Sequence, residues 1–177
     1  MKKYELTAEF IEKLGKKLFR IKALISFGSV EAGELGGYVE KEDNIAQNGN
    51  AWVCDDAEVY GNARVFGSAR VCGDARVYGN ARVCGNAWVC GNADYLLIGR
   101  IGSRFSFTTF FKNKDKGITV SCGCFLGTIA EFRAKVTDTH GNNKHAKMYN
   151  LAADMAELQI LGEEHFDKLN TNKSEPF

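Results

Sequence analysis

The sequence predicts a mainly β protein: a short parallel β-coil of hexapeptide repeats, with a β-rich N-terminal cap and a C-terminal α+β module of order β-β-β-α-α. Three observations predict it. Alanine recurs at 51, 57, 63, 69, 75, 81, 87 and 93, and valine at 53, 59, 65, 71, 77, 83 and 89. Glycine punctuates the same stretch every sixth residue from Gly61 to Gly91. At Tyr95 the texture changes to alternating apolar segments followed by a helix-capping signature. The boundaries are 1–50 for the cap, 51–95 for the repeats and 96–177 for the module.

In the repeats, Ala and Val two positions apart point to the same face of an extended segment, and the residue between them points outward. Each phrase is a short strand plus a corner, the corner supplied by Gly beside Asn, Asp or Ser. A helix is excluded, because each such glycine would cost about 1 kcal/mol relative to alanine. Three edges close a triangular coil of eighteen residues with Val and Ala inside. The pairs Val59 with Ala63 and Val65 with Ala69 resemble the hexapeptide repeat of left-handed parallel β-helices. Residues 51–95 make only about two and a half coils, so the ends need caps. Known prisms of this kind are usually trimers, and the resemblance implies a homotrimer.

Folding the sequence at that period gives three outward columns. Trp52, Arg70 and Trp88 stack beside Cys54, Cys72 and Cys90; Glu58, Arg76 and Asp94 beside Tyr60 and Tyr78; Arg64 and Arg82 beside Phe66 and Cys84. The second column reads as a solvated ladder of alternating charges at the strand spacing of about 4.8 Å. The first is too apolar to face water and is expected to form a subunit interface or to dock another part of the chain. A straight cysteine column cannot surround zinc tetrahedrally, so no metal is expected there.

In the cap, Lys16–Phe27 alternates as a strand, and YELTAEF can pair with it through a turn near Gly15. The run ELGGYVEKEDNIAQNGN is expected to form an irregular first coil with a corner at Gly36-Gly37. After Tyr95, LLIGRIGS reads as a strand, and FSFTTFFKNKDKGITVSCGCF as two strands joined at Asn113–Gly117. Thr128 and Glu131 form a capping box that opens a helix ending at His140-Gly141. A second helix is predicted from about Lys144 to Leu161, with Met148, Leu151, Ala152, Met155 and Leu158 on its apolar face.

The module holds the candidate ligand-binding residues. Gly102-Ser103-Arg104 combines an approachable backbone, a hydroxyl and a guanidinium fork, which suits phosphate or carboxylate. Thr108 and Thr109 follow, one on each sheet face. Ser121, Cys122, Gly123 and Cys124 lead into the helix start at Thr128, where free N–H groups and the helix dipole favour an anion. His140, Asn142, Asn143, Lys144, His145 and Lys147 gather at the turn between the helices, and His140, Asn142, Lys144 and Lys147 are taken as ligand-binding. The bland alternatives are a simple turn at Gly102-Ser103, a structural cap at Thr128 and buried small thiols at Cys122 and Cys124. The spacing C-x-C with H-x4-H is no standard zinc-finger pattern, and nothing local activates a Cys–His nucleophile from Cys122 or Cys124 with His140. No catalytic residue, metal or cofactor is assigned.

Composition sets the frame for these readings. The chain has 177 residues, 45% hydrophobic and 25% charged, with a net charge of +1. Residues 96–150 carry nine Lys and Arg against three acids, a local net of +6, whereas residues 151–177 carry two against six. Such asymmetry points to an anionic partner, the alternative being a solvated face neutralised by the acidic tail. No apolar run approaches the roughly 20 residues that span a bilayer, and MKKYELTAEF lacks the apolar core of a signal peptide. A cytosolic protein with six reduced cysteines is expected, with neither a membrane nor duplex nucleic acid as partner.

Taken whole, the opening KKYELT, the phrase LGGYVEKEDN, the NARVYG-type repeats and the closing IGSR, TTF, VSCGCFLGT, EF and HG resemble small hexapeptide-repeat proteins of bacteriophages and prophages. The resemblance implies an accessory protein in the cytoplasm of an infected bacterium. The resulting expectation is a trimeric, non-catalytic binder that sequesters a small anionic, nucleotide-like host immune signal. Two alternatives belong to other classes. Hexapeptide prisms commonly serve acyltransferases that use acyl-CoA and a histidine base, but here His140, His145 and His165 all lie beyond the repeats. The other is a structural module that blocks a host protein.

Overall fold

The computed structural model describes residues 1–171; positions 172–177 of the predicted module lie outside the described residues. The chain divides into two compact units, Met1–Asn92 and Ala93–Phe177.

The first unit opens with a hairpin of β1 (Tyr4–Lys13) and β2 (Lys16–Ala23). Its turn residues Leu14 and Gly15 both have positive φ, 51° and 73°, as a two-residue hairpin turn requires. β2 pairs antiparallel with β3 (Leu35–Val39), and β3 pairs parallel with β5 (Glu58–Val59). Pairing therefore runs from the cap into the coil without a break at residue 50. Gly36 and Gly37 lie within β3 rather than at the expected corner. A side chain at either would collide with Val53 O or Ala57 O, so close backbone approach is what demands glycine there.

The remaining coil strands are two residues each: β4 (Trp52–Val53), β6 (Arg64–Val65), β7 (Arg70–Val71), β8 (Arg76–Val77), β9 (Arg82–Val83) and β10 (Trp88–Val89). They join three parallel ladders in rotation, β4-β7-β10, β3-β5-β8 and β6-β9. From Trp52 to Val71, each strand pairs with the one eighteen residues later, the predicted period. The first coil is longer, with Tyr38 opposite Glu58 and Ile45 opposite Val65, twenty residues apart. The interior is the predicted one, Ala51 through Ala87 and Val53 through Val89 all being buried.

Within a ladder each N–H donates to a carbonyl of the next coil, as Trp52 N does to Ala69 O at 3.0 Å. Carbonyls at the leading edge have no preceding coil to supply a donor, and buried carbonyls must be paired. Two side chains supply it. Lys3 Nζ donates to Ala51 O at 2.8 Å, and Asn44 Nδ2 to Ala63 O at 2.8 Å. Burial pulls the Lys3 ammonium down to about 8.

From Trp52 to Trp88 the outward columns follow the predicted register, with one alternative selected and two corrections. Trp52 is fully buried because Tyr4 and Phe27 from the cap meet its indole edge-on, at 6.3 and 5.5 Å, so the apolar column docks another part of the chain. Trp88, two coils along, stays 49% exposed. The charge ladder is not wholly solvated: Glu58 is buried, ion-paired with Lys13 and 3.6 Å from Arg76 Nε. Nor are all six cysteines reduced. The eighteen-residue period stacks Cys72 against Cys90 with Cα atoms 4.5 Å apart, within disulfide range, and the two are bonded.

The second unit is a four-stranded antiparallel sheet of β11 (Tyr95–Ile101), β12 (Ser106–Lys112), β13 (Ile118–Cys122) and β14 (Phe125–Thr128), in that order. Helices α1 (Ile129–His140), α2 (Lys144–Leu161) and α3 (Glu163–Thr171) follow. The expected β-β-β-α-α thus gains a strand and a helix. Gly123, with φ of 61°, turns the chain back tightly enough for Phe125–Thr128 to pair with β13. The core joins Phe110, Ile118 and Val120 of the sheet to Phe132, Val136, Tyr149, Ala153, Ala156 and Ile160 of the helices. The predicted apolar face of α2 is corrected: Met148, Leu151, Met155 and Leu158 are exposed, and only Ala152 of that set is buried. The helix instead turns inward the stripe Ala146, Tyr149, Ala153, Ala156 and Ile160, whose small residues let it lie close to the strands. No helix among the described residues is long and apolar enough to cross a membrane.

Candidate functional site

Strand alternation decides which predicted residues meet. Thr108 pairs with Cys122 and Thr109 with Ser121, so the two pairs face opposite sides of the sheet. Phe110, Val120 and Cys122 belong to the helix-covered side, which places Thr108 there and leaves Thr109 and Ser121, both buried, on the other.

On the helix side the centre is Tyr149, a residue the sequence did not single out. Its ring packs edge-on against Phe132 at 5.6 Å and is stacked on His140 at 5.7 Å with the planes 27° apart. Its hydroxyl hydrogen-bonds Cys122, whose sulfur also accepts from Thr108 Oγ1 at 3.2 Å. The same hydroxyl lies over Gly102, which has φ of 74° and no room for a side chain. Burial is the main cause that pushes the phenol up to about 12, with the Cys122 contact adding and Arg104 opposing. The His145 ring lies 5.8 Å from that of His140, and its Nδ1 is buried without a hydrogen-bond partner.

The other predicted residues take up varied positions. Ser103 and Arg104 are exposed in the loop after β11, and Asn142, Lys144 and Lys147 are exposed at the start of α2. Asn143 caps that helix, its Oδ1 accepting from His145 N at 2.8 Å and Ala146 N at 3.2 Å. Thr128 is the α1 N-cap. Its N–H and hydroxyl both donate to Glu131 Oε2, at 2.7 and 2.9 Å, which commits it to structure. Gly123 and Cys124 form the exposed β13–β14 turn. The structure thus gathers Arg104, Thr108, Cys122 and His140 about Tyr149, with the loop bearing Ser103 beside them.

The basic surplus sorts into two groups. Arg133 bonds Asp154 and Glu157, each at 2.7 Å, Lys112 pairs with Asp94 at 3.0 Å, and Lys135 with Asp138 at 2.8 Å. Arg100, Arg104, Lys114, Lys116, Lys144 and Lys147 form no ion pair among the described residues. Part of the +6 is therefore neutralised internally, and the exposed remainder includes the cations of the site loop and of the α2 start.

The sequence model described as YdcK Beta solenoid repeat matches residues 57–73 and 75–91, within the stacked coil strands. The chain is thus similar to a β-solenoid repeat in that part, which supports a repeat β-solenoid protein. No curated protein matches the chain.

Proposed function

We propose that the second unit binds a small anionic, nucleotide-like ligand and does not transform it. The observation that carries this reading is the cluster at Tyr149: Arg104 from the loop, whose charge acts on the phenol, His140 of α1 stacked on its ring, and next to His140 the His145 ring with a buried, unpartnered Nδ1. The exposed Arg104 guanidinium and the imidazoles offer charge and hydrogen bonds to such a molecule, and buried Tyr149 holds His140 in place. Binding without turnover is supported by Cys122, whose sulfur is taken up by two hydroxyls rather than by a base.

In this reading the coil is a left-handed hexapeptide prism that assembles three chains, so that one particle carries three binding units. The protein is a phage accessory factor that works in the bacterial cytoplasm and withdraws a host immune signal. Repeat period, interior composition and the resemblance to phage hexapeptide proteins support it.

Mass spectrometry of the native protein before and after denaturation tests both parts, giving subunit number and any retained molecule. Thermal melts with cyclic dinucleotides and linear nucleotides as probes follow. A ligand at a hundredfold excess over its Kd stabilises by about 2.7 kcal/mol, and Arg104→Ala should remove that gain. A protein that releases nothing and whose melting is unmoved by every probe overturns the reading.

A further inference from the structure

The cysteine column of the first unit has three rungs, and its disulfide uses two. Cys54, Cys72 and Cys90 occupy equivalent positions on successive coils, as the pairing of Val53, Val71 and Val89 fixes. Cys72 is bonded to Cys90, and Cys54 is a free, half-buried thiol on the coil before it. Donor atoms of Cys54, Asp55 and Cys72 lie within 4.8 Å of one another. Burial is the main cause that pushes the Cys54 thiol up, and Arg70, whose Nη2 stands 3.9 Å from Cys54 Sγ, opposes it.

Displacement at a disulfide sulfur requires a thiolate on the side opposite the departing sulfur. A column of stacked rungs provides that order, with Cys54 on one side of Cys72 and Cys90 on the other. The straightness that rules out a four-ligand zinc site is what suits this reaction.

We infer that the column is a thiol–disulfide exchange site in which Cys72 passes its bond between Cys54 and Cys90. The Cys54 thiolate forms a bond to Cys72 Sγ as the Cys72–Cys90 bond breaks. Its electron pair leaves on Cys90 Sγ, which takes up the proton Cys54 gave away. One disulfide and one thiol are present before and after, so no external oxidant or reductant enters. The consequence is a reactive thiol that appears at either end of the column while the middle sulfur stays bonded.

The test is a linkage map of the full-length oxidised protein. The protein is equilibrated at mildly alkaline pH, free thiols are alkylated, and digestion with pepsin in acid keeps the linkages from rearranging. Wild type should yield both Cys54–Cys72 and Cys72–Cys90 peptides, with label on Cys54 and on Cys90 and none on Cys72. Cys90→Ser should hold the Cys54–Cys72 bond in full, and Cys54→Ser the Cys72–Cys90 bond in full. Label on Cys54 alone in wild type overturns the inference. Label on all three column cysteines, or a Cys90→Ser protein of unchanged circular dichroism with Cys54 and Cys72 both labelled, overturns it too. The wild-type map decides on its own if a variant fails to fold.

Discussion

The Tyr149 hydroxyl occupies the space that a side chain at Gly102 would need. The α2 helix and the loop after β11 are thereby keyed to each other at one point, Cys122 is tied in through the same hydroxyl, and Thr108 through the Cys122 sulfur. Replacing Gly102 with alanine combines an unfavourable positive φ with this overlap. It should destabilise the second unit by about 2–4 kcal/mol, read as a lower urea midpoint.

Tyr149 should also mark the alkaline limit of that unit. Its phenol has a folded value near 12 against the ordinary 10, so its stabilising contribution is complete below pH 10 and is lost as pH rises through 12. In the Tyr149→Phe variant, the fall in denaturation midpoint between pH 10 and 12 should be shallower than in wild type.

Lys3 predicts the opposite slope in the first unit. Its ammonium has a folded value near 8, below the usual 10.5, so the contribution is present above 10.5 and lost as pH falls through 8. Stability should rise as pH moves from below 8 toward 10, and Lys3→Met should flatten that rise in denaturant titrations taken at several pH values.

The two tryptophans occupy one column but different surroundings. Trp52→Ala opens a cavity beneath Tyr4 and Phe27 and should cost about 3–5 kcal/mol. Trp88→Ala, at a half-exposed position, should cost less than about 1 kcal/mol. Iodide should quench the fluorescence of the Trp52→Ala protein, which retains Trp88, far more than that of Trp88→Ala.

Arg133 clamps α1 to α2 through Asp154 and the buried Glu157. Arg133→Met leaves Glu157 without its cation and should destabilise by about 3–5 kcal/mol, whereas Lys135→Met, on an exposed pair, should leave stability nearly unchanged. Chemical denaturation of the two variants makes the comparison.

The coil was legible because its period is set by backbone geometry. Once Ala and Val fill the interior, each residue's column follows by counting, and the pairing of Trp52 with Arg70 and of Arg70 with Trp88 could be written down from the sequence. The capping box at Thr128 was legible for a similar reason, since it is a local contact between residues three apart. The inward face of α2 was not. That helix carries two apolar stripes of the same period, one of Met and Leu and one of Ala with Tyr149 and Ile160, and periodicity alone cannot rank them. Close approach to the sheet selected the small residues. Arg104, Thr108, Cys122 and His140 of the candidate site were readable as residue types, but its centre, Tyr149, read only as part of a helix. Thr109 and Ser121 lie on the other sheet face, as one position in a strand decides the face.

The ladders also make the coil a counting device. Eighteen inserted residues would add one rung to each ladder and leave every column in phase, so that a tryptophan now stacked on Arg70 would stack on its copy instead. Six residues inserted between Val71 and Trp88 would instead advance that tryptophan by one face, onto the column of Glu58 and Arg76. Chain length in this part of the molecule can therefore grow smoothly only in steps of a whole coil. Any shorter step rewrites which side chains are neighbours.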